Sequence, residues 1–372
     1  MTFRTALCDL LGIEYPILQS GMGGVAGPEL VAEVCRAGAL GILAGLNVPG
    51  EELRSRIRRV CELTDRPFGV NLWLQTELRP PTDPATIPDS TLRAVQGTLN
   101  RFRERLGVPS KTERPDPVPD LVDEAIDVIL EERVPVLSTA LGMPDVATVR
   151  RCFERGVKIV AMVTTVKDAR AAASTGVDVV IAQGGEAGGH RSTGAKTPSA
   201  ESASVGTLAL VPQVVDAVSV PVVAAGGIAD GRGLVAALAL GAQGILLGTR
   251  FVATRESAAA EFWKKTLLES DGDATTTTDA FSGLYGRALR NTFTRDYAAS
   301  GAPVLAPLLQ HNVAADVYAS AAAQGDPAYF PMWSGQSVGL IHDLPSAADV
   351  VDAIVREARA VLNGLGGRVR LD

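Results

Sequence analysis

The sequence predicts an α/β protein built on a (β/α)8 TIM barrel, a closed ring of eight parallel strands inside a ring of helices. Eight short apolar segments alternate with helical segments up to about residue 254. Nearly continuous apolar strands are typical of a parallel sheet that helices cover. No GxGxxG motif with a downstream acidic residue follows the first strand, which disfavours an open dinucleotide-binding sheet. A chain of 372 residues has room for a barrel and one smaller domain.

The order of the elements follows from apolar runs and from the residues that begin and end helices. Pro28 and Gly38 flank one predicted helix, and Asp145 and Gly156 flank another. The eight predicted strands are residues 15–21, 40–44, 68–74, 135–141, 158–163, 177–182, 221–225 and 244–247. The helices predicted between them are residues 28–37, 51–63, 121–132, 145–155, 167–174, 208–218 and 231–240.

Two regions interrupt this alternation. Residues 75–120 contain eight prolines and many charges, and they predict an insertion over the top of the barrel, either a lid or a surface loop, with one helix at 91–106. Beyond the last strand, we expect a helix at 256–269, a loop at 274–278 and a final helix at 347–362. We therefore predict a barrel over 1–254 and 344–372, to which the last helix returns, and a smaller helical domain over 255–343.

Composition excludes several classes of function. The net charge of −7 offers no basic face to nucleic acid or to anionic lipid. No run of 18 apolar residues and no signal peptide is visible. The four cysteines are scattered, as in a reduced cytoplasmic protein. The three histidines do not stand at metal-ligand spacing, so we predict no metal site.

The strongest functional pattern is the stretch VDVVIAQGGEAGGHRS, residues 177–192. A buried strand ends in a glycine-rich turn, and His190 closes that turn where barrels of this kind place their active sites. A neutral imidazole at this position can take a proton from a carbon acid. Glu186 in the same turn either orients the loop or the imidazole, or is an exposed carboxylate. The polar residues 194–205 follow directly.

Other strand ends offer groups for a phosphorylated ligand. Gly226 and Gly227 end the seventh strand, and Gly248 and Thr249 end the eighth, where barrels often bind phosphate. Asn71 and Gln183 offer amide groups, and the turn at residues 21–24 could lie under a flat ring. FMN satisfies these demands, although composition alone does not distinguish it from other phosphorylated ligands.

The chain resembles the nitronate monooxygenase family of FMN-dependent barrels. The matching segments are PILQSGMGG, FGVNLWL, AQGGEAGGHRS, LVPQVVDAVSVPVVAAGGIADGRG, GAQGILLGTRF and MWSGQSVGL. The resemblance implies oxidation of an alkyl nitronate by O2 to a carbonyl compound and nitrite through a flavin semiquinone. For a neutral nitroalkane, His190 would act as the catalytic base. It also implies an FMN site formed by Met22, Gly23, Asn71, Gln183, Gly185, Gly188, Gly226, Gly227, Leu246, Leu247, Gly248 and Thr249.

Two alternatives stay open at this stage. One is an NAD(P)H-dependent flavin reductase of a quinone or an enoyl thioester on the same scaffold. The other is a flavin-binding protein without turnover. The insertion contains no tyrosine, so Phe102 is the candidate aromatic residue over the substrate. We expect a small-molecule nitronate or nitroalkane and O2 as partners, and a monomer or homodimer.

Overall fold

The centre of the molecule is a closed ring of eight parallel strands. The structure is a computed structural model that describes residues 3–74, 78–192, 199 and 204–368. From the second strand to the eighth, each strand pairs with the next one along the chain. The eighth strand then pairs with the first, with Ile17 opposite Ile245. A single bridge between Leu18 and Leu40 joins the first strand to the second. The predicted barrel is confirmed. In chain order its strands are Ile17–Gln19, Ile42–Ala44, Gly69–Trp73, Val136–Ala140, Lys158–Val163, Val179–Gln183, Val222–Ala225 and Gly244–Leu247.

Helices cover the outside of the ring in the predicted alternation. Their ends carry the expected signals, since Asp145 accepts a hydrogen bond from the Thr148 amide at 2.7 Å. They are Pro28–Arg36, Gly50–Leu63, Val122–Glu131, Val146–Glu154, Val166–Thr175, Thr207–Val215, Gly231–Ala239 and the short Thr249–Val252. The final helix, Ala347–Arg368, returns to the barrel as predicted. A Cβ on Gly231 would lie 2.3 Å from the Ala358 nitrogen, so this contact requires glycine.

The barrel interior is a separate apolar cluster, and a short helix closes it at one end. Side chains such as Leu18, Val160 and Ile181 point inward and are fully buried. A short helix that the sequence analysis did not predict, Ala6–Leu11, closes the amino-terminal end of the ring by placing Leu7 in the same cluster. The opposite end, where the strands end, is the one that carries the predicted site residues.

Residues 255–343, called the cap below, contain three α-helices, two strands and long connecting segments. The helices are Glu261–Leu268, Thr292–Ser300 and Leu309–Gln324. The predicted loop at 274–278 is wrong, because Thr275–Thr278 is a strand that pairs antiparallel with Gly286–Leu289. Four β-branched residues in a row favour this extended conformation. A third, two-residue strand, Gly189–His190, joins this small sheet from the barrel side.

The insertion packs against the cap. Its helix Asp89–Leu106 shares a buried apolar cluster with the cap helices. Arg103 from that helix is fully buried and donates to Asp316 at 2.9 Å and to Gln96 at 2.7 Å. The predicted domain boundaries remain a prediction, and residues 75–77, 193–198 and 200–203 lie outside the described residues. Among the described helices, none combines the length and the apolar character needed to cross a membrane.

Candidate active site

His190 lies where the barrel meets the cap. It ends the turn after the sixth barrel strand, and its backbone pairs with Gly286 of the cap sheet. The neighbouring pair is Gly189 with Arg287. His190 is thus connected covalently to the sixth barrel strand and paired through its backbone with the cap sheet.

Three cap and barrel side chains surround the imidazole. The indole of Trp73 meets it edge-on at 4.6 Å between ring centroids, and Trp333 lies at 4.4 Å with a tilt of 46°. The hydroxyl of Ser282 lies 2.7 Å from Nε2. Burial, with a smaller contribution from His311, lowers the pKa of His190 to about 3. The side chain is therefore neutral at pH 7.

Phe102, the aromatic residue predicted to lie over the substrate, lies in the cap core. Phe102 is 1% exposed and packs against Phe293 at 5.0 Å and Tyr329 at 5.5 Å inside the cap core. The prediction for Phe102 is wrong because the apolar face of its helix points into that core. Trp73 and Trp333 are the aromatic residues beside the histidine.

The residues around the turn fix its two ends. The Gln183 amide group donates to the His190 carbonyl at 3.0 Å and accepts from the Ser192 amide at 2.9 Å. Ser192 in turn donates to the Met162 carbonyl and accepts from the Leu141 amide, both at 2.9 Å. The turn is therefore anchored to the ends of three neighbouring barrel strands.

Two guanidinium groups lie under the same turn. Arg191 donates to the carbonyls of Gln183 and Gly184, both at 2.9 Å, and Arg287 donates to that of Gly185 at 3.0 Å. Burial, together with the charge of Arg287, lowers the pKa of Arg191 to about 10, so it stays charged at pH 7. Its Nε and Nη1 atoms are buried and have no hydrogen-bond partner within the described residues. The two guanidinium groups and the nearby carboxylate of Glu186 together leave this turn with a net positive charge.

Glu186 orients the loop, and among the described residues it makes no hydrogen bond to the imidazole. Its carboxylate accepts from the Thr207 amide at 2.9 Å and from the Thr207 hydroxyl at 2.8 Å. Thr207 opens a helix whose N-cap is Gly206, a residue without a capping side chain. Glu186 thus supplies the missing cap from another loop and a negative charge at a helix N-terminus. Of the two roles considered from the sequence, the structure assigns loop orientation.

The predicted phosphate residues come together at the ends of the seventh and eighth strands. Gly226, Gly227, Gly248 and Thr249 donate no backbone hydrogen bond within residues 3–74, 78–192, 199 and 204–368. Gly227 is exposed and has a φ of +70°. The first strand contributes Met22, whose sulfur would lie 3.5 Å from a Cβ on Gly248. Amide donors without an acceptor among the described residues therefore lie at the ends of two paired strands.

Other predicted residues hold the surrounding structure. Asn71 donates to the Ser138 hydroxyl at 3.1 Å, and a Cβ on Gly21 would lie 2.3 Å from the Asn71 Cβ, so the turn after the first strand sits on Asn71. Thr249 accepts from the Gly335 amide at 2.9 Å through its hydroxyl. Gly185 is buried, Gly23 is exposed, and Leu246 and Leu247 are buried in the eighth strand. Their contacts with a flavin stay a prediction.

Comparison with known proteins identifies the family. Residues 4–357 match the sequence family described as nitronate monooxygenase. The chain belongs to the nitronate monooxygenase family. It is 34% identical over 368 residues to a probable nitronate monooxygenase of Staphylococcus saprophyticus subsp. saprophyticus, and the match covers 98% of this chain and 100% of that protein.

Solved structures of similar chains share the whole fold. Nitroalkane oxidase from Streptomyces ansochromogenes superposes with a TM-score of 0.87 at 34% identity, covering 97% of this chain and all of that one. FabK from Thermotoga maritima superposes with a TM-score of 0.76 at 30% identity, covering 98% of this chain and 99% of that one. This nitronate monooxygenase family member is therefore an oxidoreductase with a barrel and a cap.

The residues present fit the flavin that the family implies. Four backbone amides at the ends of the last two strands have no acceptor among the described residues, and such amides suit a phosphate group. Gly23 leaves open space above the first strand, since a Cβ there would meet nothing within 4 Å. The amide donors and the open space beside Gly23 are thus the two features that suit a flavin.

Sequence reasoning missed Ser282, Trp333 and Arg191 as parts of the site. Trp73 was also missed, although the sequence could have indicated it. Residues two apart on a strand share a face, and Asn71 on the same strand was already a candidate. Ser282 and Trp333 had none, because they reach His190 from chain segments 92 and 143 positions away. Only the packing of the cap on the barrel brings them there.

Proposed function

We propose that this family member oxidises alkyl nitronates, and nitroalkanes after deprotonation, by O2 to a carbonyl compound and nitrite, with FMN as its cofactor. The observation that carries the proposal is the neutral, half-buried imidazole of His190. It lies at the carboxyl end of a barrel whose last two strands end in amide donors that have no acceptor in the described parts of the chain. Family membership supplies the reaction class.

The charges near His190 support an anionic substrate. Arg191 and Arg287 form no ion pair within the described part of the chain, and both lie under the turn that carries the histidine. A nitronate carries a full negative charge, and a positive local potential raises its concentration near the site.

The residues of this chain have separate tasks in the proposed reaction. His190 accepts the α-proton of a nitroalkane, and Trp73 and Trp333 exclude water from its two sides. Gln183, Arg191 and Ser192 hold the loop. When bound, FMN supplies the capacity to take electrons from the nitronate and to pass them to O2.

The test measures nitrite release from nitroethane and from ethyl nitronate by the purified flavin-loaded protein. We expect His190→Asn to lower the rate with nitroethane on the order of 10²–10⁴-fold while the protein keeps its flavin. A wild-type protein that releases nitrite from neither compound would refute the proposal. Flavin released from the protein is identified by mass, which tests FMN directly.

An anaerobic experiment separates the reductase alternative. NADPH is added to the oxidised protein without O2, followed by ethyl nitronate, while the visible flavin absorption is recorded. The proposal predicts that the nitronate, and not the nucleotide, changes the spectrum within the mixing time. Rapid bleaching by NADPH with no response to the nitronate would replace our proposal with the reductase.

A further inference from the structure

A serine from the cap makes the closest polar contact to the proposed base. Ser282 is 2% exposed, and its Oγ lies 2.7 Å from His190 Nε2. The same Oγ lies 3.3 Å from the Leu284 carbonyl oxygen, which can only accept a hydrogen bond. Within the described residues, Nδ1 of His190 makes no hydrogen bond. The two ring nitrogens therefore face different surroundings.

The loop that carries Ser282 is held rigidly by the cap helix Leu309–Gln324 and the residue before it. Three consecutive backbone carbonyls of this loop, those of residues 280–282, accept hydrogen bonds. Gln310 donates to Ala280 at 2.9 Å, Tyr318 donates to Phe281 at 3.0 Å, and the Leu308 amide donates to Ser282 at 2.7 Å. The residue that follows the serine, Gly283, has a φ of +79°, and a Cβ there would lie 2.7 Å from two carbonyl oxygens. The position of the hydroxyl is therefore set by the cap fold.

Hydrogen-bond direction along this contact fixes the imidazole tautomer. If the Ser282 hydroxyl donates to the Leu284 carbonyl, its oxygen accepts from Nε2–H, and the lone pair of the neutral ring is on Nδ1. We propose that Ser282 is a positioning residue that holds His190 as the Nε2–H tautomer, so that Nδ1 is the basic atom. This inference rests on the proposed function only for its kinetic consequence.

The proton transfer balances with these assignments. The α C–H bond of the nitroalkane breaks, its electron pair moves into the nitro group to give the nitronate, and the proton forms a new bond to Nδ1. The resulting imidazolium keeps its Nε2–H bond to Ser282. Because that hydrogen bond exists before and after the transfer, the ring does not have to turn.

The direct test determines the tautomer by NMR of the full flavin-loaded protein labelled with ¹⁵N-histidine. The chain has three histidines, and His190→Asn identifies the signal of interest. Two-bond couplings between ring nitrogens and carbon-bound protons distinguish a protonated Nε2 from a protonated Nδ1. We expect the Nε2–H form in the wild type. A protonated Nδ1, or an equal mixture, would overturn the inference, and this measurement needs no serine variant.

Kinetics with two substrates test the consequence for catalysis. Ser282→Ala should lower kcat with nitroethane about 10- to 100-fold, because part of the histidine population then has the wrong tautomer. With preformed ethyl nitronate, which needs no proton removal, we expect less than about a threefold change. Ser282→Thr keeps the hydroxyl and should restore most of the nitroethane rate. Equal losses with both substrates, or no rescue by threonine, would indicate a merely structural role and contradict the inference.

Failure of the two proposals can be told apart. If the wild type releases nitrite from neither substrate, the proposed function fails, while the tautomer measured by NMR still decides the role of Ser282. If nitrite is released from the nitronate alone, the NMR measurement again decides. If both reactions proceed and His190 carries its proton on Nδ1, the function stands and the role of Ser282 falls.

Discussion

Gly188 packs the turn that carries His190 against the cap, and Gly188→Ala should separate the two. A Cβ at this position would lie 2.5 Å from the Gly335 nitrogen and 2.7 Å from the Ser334 carbonyl carbon. Both are backbone atoms, so no side-chain rotation relieves the overlap. The two segments must move apart by about 1 Å to reach ordinary contact distance.

The expected cost follows from the hydrogen bonds that this movement stretches. The Gly335 amide donates to Thr249 and the Gln336 amide donates to the Glu186 carbonyl, both at 2.9 Å. At about 1 kcal/mol for each bond, the variant should lose about 2 kcal/mol of its free energy of unfolding. For a chain of this length that is a fall in Tm of about 3 °C, because the unfolding entropy scales with the number of residues.

The assay is calorimetry of the wild type, Gly188→Ala and a matched control, Gly97→Ala. Gly97 lies on the exposed side of the helix Asp89–Leu106, and a Cβ there would meet nothing within 4 Å. The control should raise Tm by about 1 °C, because alanine favours the helix. A Tm for Gly188→Ala within 1 °C of the wild type, roughly a third of the expected fall, would refute the packing of the turn on the cap.

Three further predictions concern buried charge, pH and a helix cap. Arg103→Met should lower the free energy of unfolding by about 1–3 kcal/mol, because Gln96 and the Val313 carbonyl lose a buried donor while Asp316 keeps Lys111 at 3.2 Å. Arg105→Met removes an exposed pair and should cost under about 1 kcal/mol in urea unfolding. The lowered pKa of His190 means that the unfolded chain binds a proton below pH 6.5 that the native state does not bind. Stability should therefore fall as the pH drops from 7 to 5, and His190→Asn should remove about 1–2 kcal/mol of that fall; equal slopes for both proteins would contradict it. Glu186→Ala should cost about 1–2 kcal/mol and Glu186→Gln less, since glutamine still accepts a hydrogen bond; hydrogen exchange of the Thr207 amide checks this.

The barrel was predictable because its signals are local. Apolar strands, proline and glycine at helix ends, and the glycine turn before His190 each depend on a few adjacent residues. The cap sheet was not, because Thr275–Thr278 has no alternation of polar and apolar residues and becomes a strand only by pairing with Gly286–Leu289. Gly286 itself must lack a side chain, since a Cβ there would lie 2.7 Å from the Trp333 ring.

The site also contains residues that the sequence could predict and contacts that it could not. His190, Gln183 and the glycine pairs stand in one recognisable order along the chain, so sequence reasoning selected them. The environment of the histidine depends on tertiary packing of Ser282 and Trp333, and no spacing in the sequence specifies such contacts. Glu186 was found, but the choice between its two roles required the position of Thr207.

The strand of two residues that ends in His190 has a consequence for exchanging parts between relatives. Its backbone is paired with cap residues 286 and 287, although the chain connects it to the barrel. A chimera that takes residues 255–343 from another protein therefore replaces the ladder on which the histidine lies, even when every barrel residue is kept. Such a chimera will preserve the position of His190 only if the segment that replaces residues 183–192 comes from the same protein as the new cap.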